Sequence, residues 1–316
     1  MTTFTLENKR VWVTGHTGMV GSAICRQLAN VAGVTLLTVE RKALDLTRQQ
    51  ATEQWLAEQQ PEVVFHCAAK VGGIEANKTQ PVEFISENLT IGLNVINGAA
   101  KYGVQKLINL GSSCFYPKLS EQPIVESSLL SGALEPTNEA YALAKISLAK
   151  LCQFYHQQYQ KDFITVVPTN LYGPGDNFDP NAGHVIAALI DKFVMAKKQQ
   201  LSSVTLWGTG KPLREFMHVD DAASGLVFLA QHYSNDKLIN LSGGKTVSIY
   251  QLAQTIAQIV DYQGGILLDE SKPDGMMKKS LDDSLVSQLG WKPKITLIQG
   301  LKSTVEFYLS RVAPYE

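Results

Sequence analysis

Short apolar runs recur along the chain at intervals that leave room for one amphipathic helix each. The runs VWVTG (11–15), VTLLTV (34–39), EVVFHCA (62–68), KLINLGS (106–112) and FITVVPTN (163–170) are continuous rather than alternating. Continuous runs suit strands covered on both faces, whereas a strand with one wet face would alternate apolar and polar positions. Helical periodicity over 80–100 and 138–159 fills the later gaps. The pattern predicts an α/β fold, a Rossmann-type doubly wound parallel sheet.

After Tyr172 the rhythm breaks at GPGDNFDPNAG, followed by a helical stretch near 184–198 and a short strand, VTLWG. REFMHVDDAASGLVFLAQ and KLINLSGG (215–244) then read again as strand and helix of the main sheet. The expected organisation is a dinucleotide-binding domain of residues 1–173 plus about 213–244. A smaller, discontinuous C-terminal substrate domain would take about 174–212 plus 245–316.

Composition narrows the function classes. A chain of 316 residues with 45% hydrophobic and 18% charged positions can bury a sizeable core. A formal net charge of -1 gives no general field for nucleic acid or an anionic membrane, so any phosphate must be held by local groups. No apolar run reaches the roughly 18 residues of a membrane span, and MTTFTLENKR does not read as a leader, so the expected location is cytoplasmic. Cys25, Cys67, Cys114 and Cys152 lie far apart without CxxC spacing, which argues against zinc and against a disulfide framework.

The stretch TGHTGMVG places Gly15, Gly18 and Gly21, with His16, Thr17, Met19 and Val20 between them, between a strand and a helix. Gly15 permits a tight turn, Gly18 lets the backbone approach phosphate oxygens, and Gly21 lets helix and strand pack closely. The helix N-terminus adds unpaired N–H donors, a combination that suits a pyrophosphate. The GxxGxxG spacing resembles the short-chain dehydrogenase/reductase superfamily, especially its extended, sugar-nucleotide branch. Leu44-Asp45-Leu46 stands where that branch places an acidic residue near adenine, and HCAAKVGG (66–73) brings small residues against the cofactor.

The end of the second run offers both Glu40, suited to a free ribose hydroxyl, and Arg41, suited to a 2′-phosphate. Alternation near a strand end would turn Arg41 to the ligand and Glu40 to solvent, which favours NADPH over NADH.

Tyr141 and Lys145 form a YxxxK pair within EAYALAKISLAK, at a spacing that shares one helix face. A free phenol has a pKa of about 10 and exchanges protons poorly at neutral pH unless a cation stabilises the phenolate. Lys145 is expected to do that and to bind the nicotinamide ribose. Ser112, at the carboxyl end of LINLGSSCFY, is expected to give a second hydrogen bond to a substrate carbonyl oxygen as charge develops there. Extended geometry would turn Ser112 and Cys114 to the same side, and a simple reductase needs no thiol.

Taken with GSSCFYPK, EPTNEAYALAK, PTNLYGPGDNFDPNAGHVI and REFMHVDD, the chain closely resembles the GDP-L-fucose synthase family, the 3,5-epimerase-4-reductases of GDP-4-keto-6-deoxy-D-mannose. The resemblance runs through nearly the whole chain. It implies reduction by Ser112, Tyr141 and Lys145, and epimerisation by Cys114 and His184 as acid and base, in an order it leaves open. It implies cofactor contacts along Leu110, Gly111, Ser112 and Ser113, along Pro168, Thr169, Asn170 and Leu171, and at His184. Lys192, Trp207 and Arg214 match GDP-sugar contacts: two cations suit a diphosphate, and an aromatic offers a face to a sugar or base.

Asp282 matches a further substrate carboxylate, with Asp283 as the alternative register. Thr17 stands where many of the family carry arginine, which removes a cation near the adenosine phosphates and leaves NADH open as a second reductant. The resemblance also implies a homodimer through helices 80–100 and 138–159. A nucleotide-sugar 4-epimerase or dehydratase with bound NAD, or a non-catalytic dinucleotide sensor, are the competing expectations.

Overall fold

The structure is a computed structural model that describes residues 3–179, 183–272 and 274–312. In chain order the strands are β1 (Arg10–Thr14), β2 (Thr35–Leu37), β3 (Val63–His66), β4 (Lys106–Leu110), β5 (Asp162–Pro168), β6 (Asn170–Tyr172), β7 (Ser203–Trp207), β8 (Leu213–His218), β9 (Ile239–Leu241), β10 (Thr246–Ser248), β11 (Gly265–Asp269) and β12 (Lys278–Lys279). The helices are α1 (Met19–Leu28), α2 (Gln49–Gln59), α3 (Ile74–Thr79), α4 (Pro81–Lys101), α5 (Glu139–Tyr159), α6 (Val185–Lys198), α7 (Val219–His232), α8 (Ile249–Val260), α9 (Ser284–Gln288) and α10 (Leu297–Phe307).

Six strands form one parallel sheet in the order β2-β1-β3-β4-β5-β9. Every residue of β3 is buried, as a continuous apolar run requires, because α1 and α7 cover one face and α2, α4 and α5 the other. The strand order reverses between β1 and β3. Both the glycine turn after β1 and the loop after β3 therefore open at that switch point, where sheets of this kind leave a crevice for ligands.

The expected return of 215–244 to the main sheet holds only in part. Helix α7 packs on α1, and β9 extends the sheet beside β5. Strand β8, however, joins a second sheet in the order β10-β8-β12, with β6 paired to it. The reason is β5 itself: it runs through Thr169 directly into β6, which leaves the main sheet and takes β8 as its partner, while β9 takes the place beside β5. A third, two-stranded sheet pairs β11 with β7, and a separate apolar cluster unites α6, α8 and α10 around Phe193, Leu252 and Leu301.

The smaller sheets are tied to the main one by Glu215, which is 1% exposed. Its carboxyl accepts from the Ser242 hydroxyl and from the backbone N–H of Gly243 (2.8 Å), Gly244 (2.9 Å) and Leu281 (3.1 Å).

Candidate active site

The turn between β1 and α1 is built for close approach. Gly15 holds a φ of +67°, and a Cβ there would come within 2.9 Å of the Ala68 backbone. A Cβ on Gly21 would lie 2.2 Å from the Gly15 carbonyl oxygen, so neither position accepts a side chain. Thr14 Oγ1 fixes the loop after β3 by accepting from the N–H of Cys67 (3.1 Å) and Ala68 (3.0 Å). Gly18 differs: its Cβ would meet only the Gly15 oxygen, at an ordinary 3.4 Å. No protein neighbour demands a glycine there, which fits a surface left bare for a ligand. No side chain caps α1, so the N–H groups of its first turn are available to an anion beside His16, Thr17, Met19 and Val20. These features fit the pyrophosphate of a dinucleotide.

On the adenosine side, Leu44 is buried and Asp45 is exposed, its Oδ1 accepting from the backbone N–H (3.0 Å) and hydroxyl (2.8 Å) of Thr47. The Thr47 hydrogen bonds hold the Asp45 carboxyl below the usual range. Strand β2 ends at Leu37, so Glu40 and Arg41 lie beyond it, and the alternation expected for them does not apply. Both are exposed. Arg41 lies 3.9 Å from Glu87, whose other oxygen accepts from Lys70 at 3.1 Å, so two cations share one carboxylate there.

At the carboxyl end of β4 the chain does not stay extended. Leu110 closes the strand, Gly111 donates its N–H to the Val166 carbonyl at 2.8 Å, and Ser113–Phe115 forms a single 3-10 turn. Ser112 caps that turn, its Oγ accepting from the Cys114 N–H at 3.2 Å. The juxtaposition of Ser112 and Cys114 therefore comes from a capped turn rather than from strand alternation. Both bear on Tyr141: Ser112 is hydrogen-bonded to its phenol, and Cys114 lies near enough to oppose the phenol's ionisation.

Tyr141 and Lys145 lie one turn apart on α5, Tyr141 edge-on to Phe84 with ring centroids 6.3 Å apart. Lys145 is 3% exposed and donates to the Leu110 carbonyl at 2.8 Å. Burial pushes its ammonium down to about 8, with Cys67 acting the other way. His66, buried behind it against Thr14, is pushed down to about 3 by burial and by Lys145, so it is neutral. The expected depression of the Tyr141 phenol by Lys145 does not occur among the protein groups. Burial, reinforced by Cys114, pushes the phenol up, and only the Ser112 hydrogen bond pulls it back.

Pro168 closes β5, Thr169 and Asn170 both donate to the Glu215 carbonyl, and Leu171 packs on the main core. Gly175, in the loop after β6, sits over the start of α1: a Cβ there would be 3.5 Å from Met19 Cα. That loop carries Asp176, whose Oδ1 lies 3.0 Å from His184 Nδ1. The His184 side chain is 51% exposed and that of Asp176 only 3%. The Asp176 hydrogen bond raises the imidazole above its usual range, against the opposing effect of burial. Asp176 Oδ2 is buried without a hydrogen-bond partner. Pro180, Asn181 and Ala182 of the GPGDNFDPNAG stretch lie outside the described residues.

The remaining candidates sit on the smaller sheets. Lys192 on α6 donates to the Thr205 carbonyl of β7 at 2.9 Å, and Trp207 at the end of β7 is 71% exposed with Lys272 over its ring. Arg214 on β8 is half-buried, and its guanidinium is lowered by burial against the opposing pull of Asp274. Asp282 accepts from the Ser284 N–H at 3.0 Å and lines a cleft of about 220 Å³ with Asp283. Its carboxylate is thus partly committed to starting α9, and both registers face the same cleft.

Two neighbours of the candidate residues carried no signal in the motifs. Asp176 stands eight residues before His184 in a turn-rich stretch, where an aspartate reads as a turn former. Lys279 on β12 places its Nζ 3.9 Å from Cys114 Sγ although the two are 165 residues apart. Among the described residues no cluster could hold a metal ion, and no helix is long and apolar enough to cross a membrane.

The model of the NAD dependent epimerase/dehydratase family matches residues 11–242. A GDP-L-fucose synthase of Sinorhizobium fredii is 48% identical over 313 residues, covering 99% of either chain. One from Escherichia coli is 46% identical, covering 96% of this chain and 98% of its own. Among solved structures, a GDP-L-fucose synthetase from Naegleria fowleri bound to NADP superposes with a TM-score of 0.89 at 31% identity, covering 99% of this chain and 97% of that one.

Proposed function

The chain belongs to the NAD dependent epimerase/dehydratase family, and on that premise we propose that it converts GDP-4-keto-6-deoxy-D-mannose to GDP-L-fucose. It does so by epimerisation at C3 and C5 followed by reduction of the C4 ketone. The observation that carries this reading beyond a plain reductase is a thiol, Cys114, fixed by the Ser112 cap one turn from the serine that bonds the Tyr141 phenol, and near enough to that phenol to oppose its ionisation.

The dinucleotide would be held by the glycine turn and the first turn of α1, by Ser112, Ser113, Tyr141 and Lys145, and by the Pro168–Leu171 segment and His184. Arg41, with Lys70 beside it, offers the positive charge that a 2′-phosphate needs, which makes NADPH the preferred form. When bound, NADPH supplies the hydride for C4. The GDP-sugar lies across the main and smaller sheets, with Lys192 and Arg214 toward the diphosphate and Trp207 offering its exposed face.

A ketone at C4 acidifies the hydrogens on C3 and C5. Loss of either gives an enolate whose charge rests on the C4 oxygen, and Ser112 and Tyr141 are placed to hydrogen-bond that oxygen. They hold the same oxygen when it becomes an alkoxide on reduction, and Tyr141 gives it the proton. Inversion needs a base on one face of the sugar and an acid on the other. His184 is held toward its protonated form by Asp176, which suits it to deliver the proton and leaves Cys114 to remove one. An enolate has no carbonyl to accept hydride, so each epimerisation is complete before reduction.

Leu93 on α4, and Leu143 and Phe154 on α5, are 40%, 40% and 55% exposed, an apolar face that supports pairing of two copies through α4 and α5. The assay that tests the function is incubation with GDP-4-keto-6-deoxy-D-mannose and either NADPH or NADH. Stoichiometric NADPH oxidation with formation of GDP-L-fucose is expected, NADH serving less well. Sugar conversion with no net cofactor oxidation would instead identify a 4-epimerase or dehydratase.

A further inference from the structure

We propose that Lys279 is the counter-charge of Cys114, a positioning residue that keeps the sulfur anionic enough to take a proton from the sugar. The inference rests on the epimerase-reductase reading given above. It starts from the 3.9 Å between Lys279 Nζ and Cys114 Sγ. It gains weight from how firmly both groups are held.

Strand β12 is short, but its surroundings fix it. Lys279 pairs in register with Arg214 of β8, so the two cations stand on one face of that sheet. The half-buried Lys279 points inward while Lys278 is exposed. The next residues are pinned on three sides. Ser280 donates its N–H to Gln122 Oε1 at 2.8 Å, Leu281 donates to buried Glu215, and Asp282 donates to the Ile124 carbonyl at 2.9 Å. Cys114 is fixed by the Ser112 cap. The turn after β4 and a strand 165 residues further along are thus held so that an ammonium meets a sulfur.

Among the described residues, the titratable groups shown to interact with Cys114 are Tyr141 from α5 and Lys279 from β12. A phenol beside a thiolate opposes its charge once ionised, whereas the Lys279 ammonium favours it. The thiolate, not the thiol, is the base, and a neighbouring cation is the ordinary way to maintain it. In the step itself, the C–H bond at C3 or C5 breaks and an S–H bond forms, while the electron pair passes to the C4 oxygen. His184 then loses its Nε2 proton to the opposite face of the same carbon. Both groups return to their starting states by exchange with water.

The test separates this role from a plain sugar or phosphate contact. Alkylation of Cys114 by iodoacetamide at neutral pH, without sugar, is read from the peptide that carries it. Lys279→Met is expected to slow that alkylation severalfold, and Lys279→Arg to restore most of it. In deuterated water with saturating GDP-sugar, Lys279→Met should slow label uptake at C3 and C5 to a similar extent.

Unchanged alkylation in Lys279→Met, with a raised KM and full labelling at saturation, would overturn the proposal and make Lys279 a binding contact. If Lys279→Met does not fold, failure of Lys279→Gln to slow alkylation has the same meaning. Absence of any labelling by the unaltered protein would count against the epimerase reading itself, a separate result.

Discussion

Asp176 holds His184 through a 3.0 Å contact from Oδ1 to Nδ1, with the carboxylate buried and the imidazole half in solvent. This leaves Nε2 as the ring nitrogen available for the proton transfer proposed for His184. It also favours the imidazolium, so His184 stays protonated to a higher pH than a free histidine would.

Removing that charge while keeping the shape gives a first prediction. In Asp176→Asn the imidazole loses the group that raises it. Proton delivery by His184 falls as pH rises through its titration, so this fall should come at lower pH in the variant than in the unaltered protein. The pH dependence of deuterium uptake at C3 and C5 reads it directly. An unmoved profile would remove Asp176 from the mechanism.

Tyr141→Phe takes away one hydroxyl from a helix whose packing against β4 and β5 stays intact. Hydride transfer to C4 should fall roughly 100-fold or more, the usual contribution of a positioned proton donor. Far-ultraviolet circular dichroism should be unchanged. Near-normal NADPH oxidation would exclude the phenol from that role.

The tie between the sheets yields a prediction about stability. Glu215→Ala removes the shared acceptor of three backbone N–H groups, that of Leu281 in the interior, and leaves the Ser242 hydroxyl only the Leu281 carbonyl at 3.2 Å. The expected loss is on the order of 3 to 5 kcal/mol, measured by chemical denaturation. A loss below about 1 kcal/mol would mean that the loops at 242–244 and 281 find other partners.

How far the sequence foretold this site follows from where each residue lies. Gly15 and Gly21 were legible because their role is local: the turn they make is written in adjacent positions. That Tyr141 and Lys145 share a helix face is legible for the same reason, one helical turn apart. The neighbourhood of Ser112 and Cys114 was foreseen, but on an extended strand, because a three-residue 3-10 turn capped by a serine has no periodic signature.

Strand β8 lies in the second sheet and not in the main one that its sequence suggests. Its apolar pattern reports burial and not which neighbour does the burying. Asp176 and Lys279 were missed outright, since a carboxylate in a turn and a lysine in a charged stretch acquire meaning only from tertiary contact.

Proton transfer at carbon by Cys114 and His184 is proposed to be separable from cofactor binding and hydride addition at C4, while Ser112 and Tyr141 serve both reactions at the C4 oxygen. Cys114→Ala in deuterated water, with GDP-4-keto-6-deoxy-D-mannose and bound NADPH measured by fluorescence, tests it most directly. Loss of label at C3 and C5 is expected, with NADPH still bound at its usual affinity. Normal labelling in that variant would contradict it.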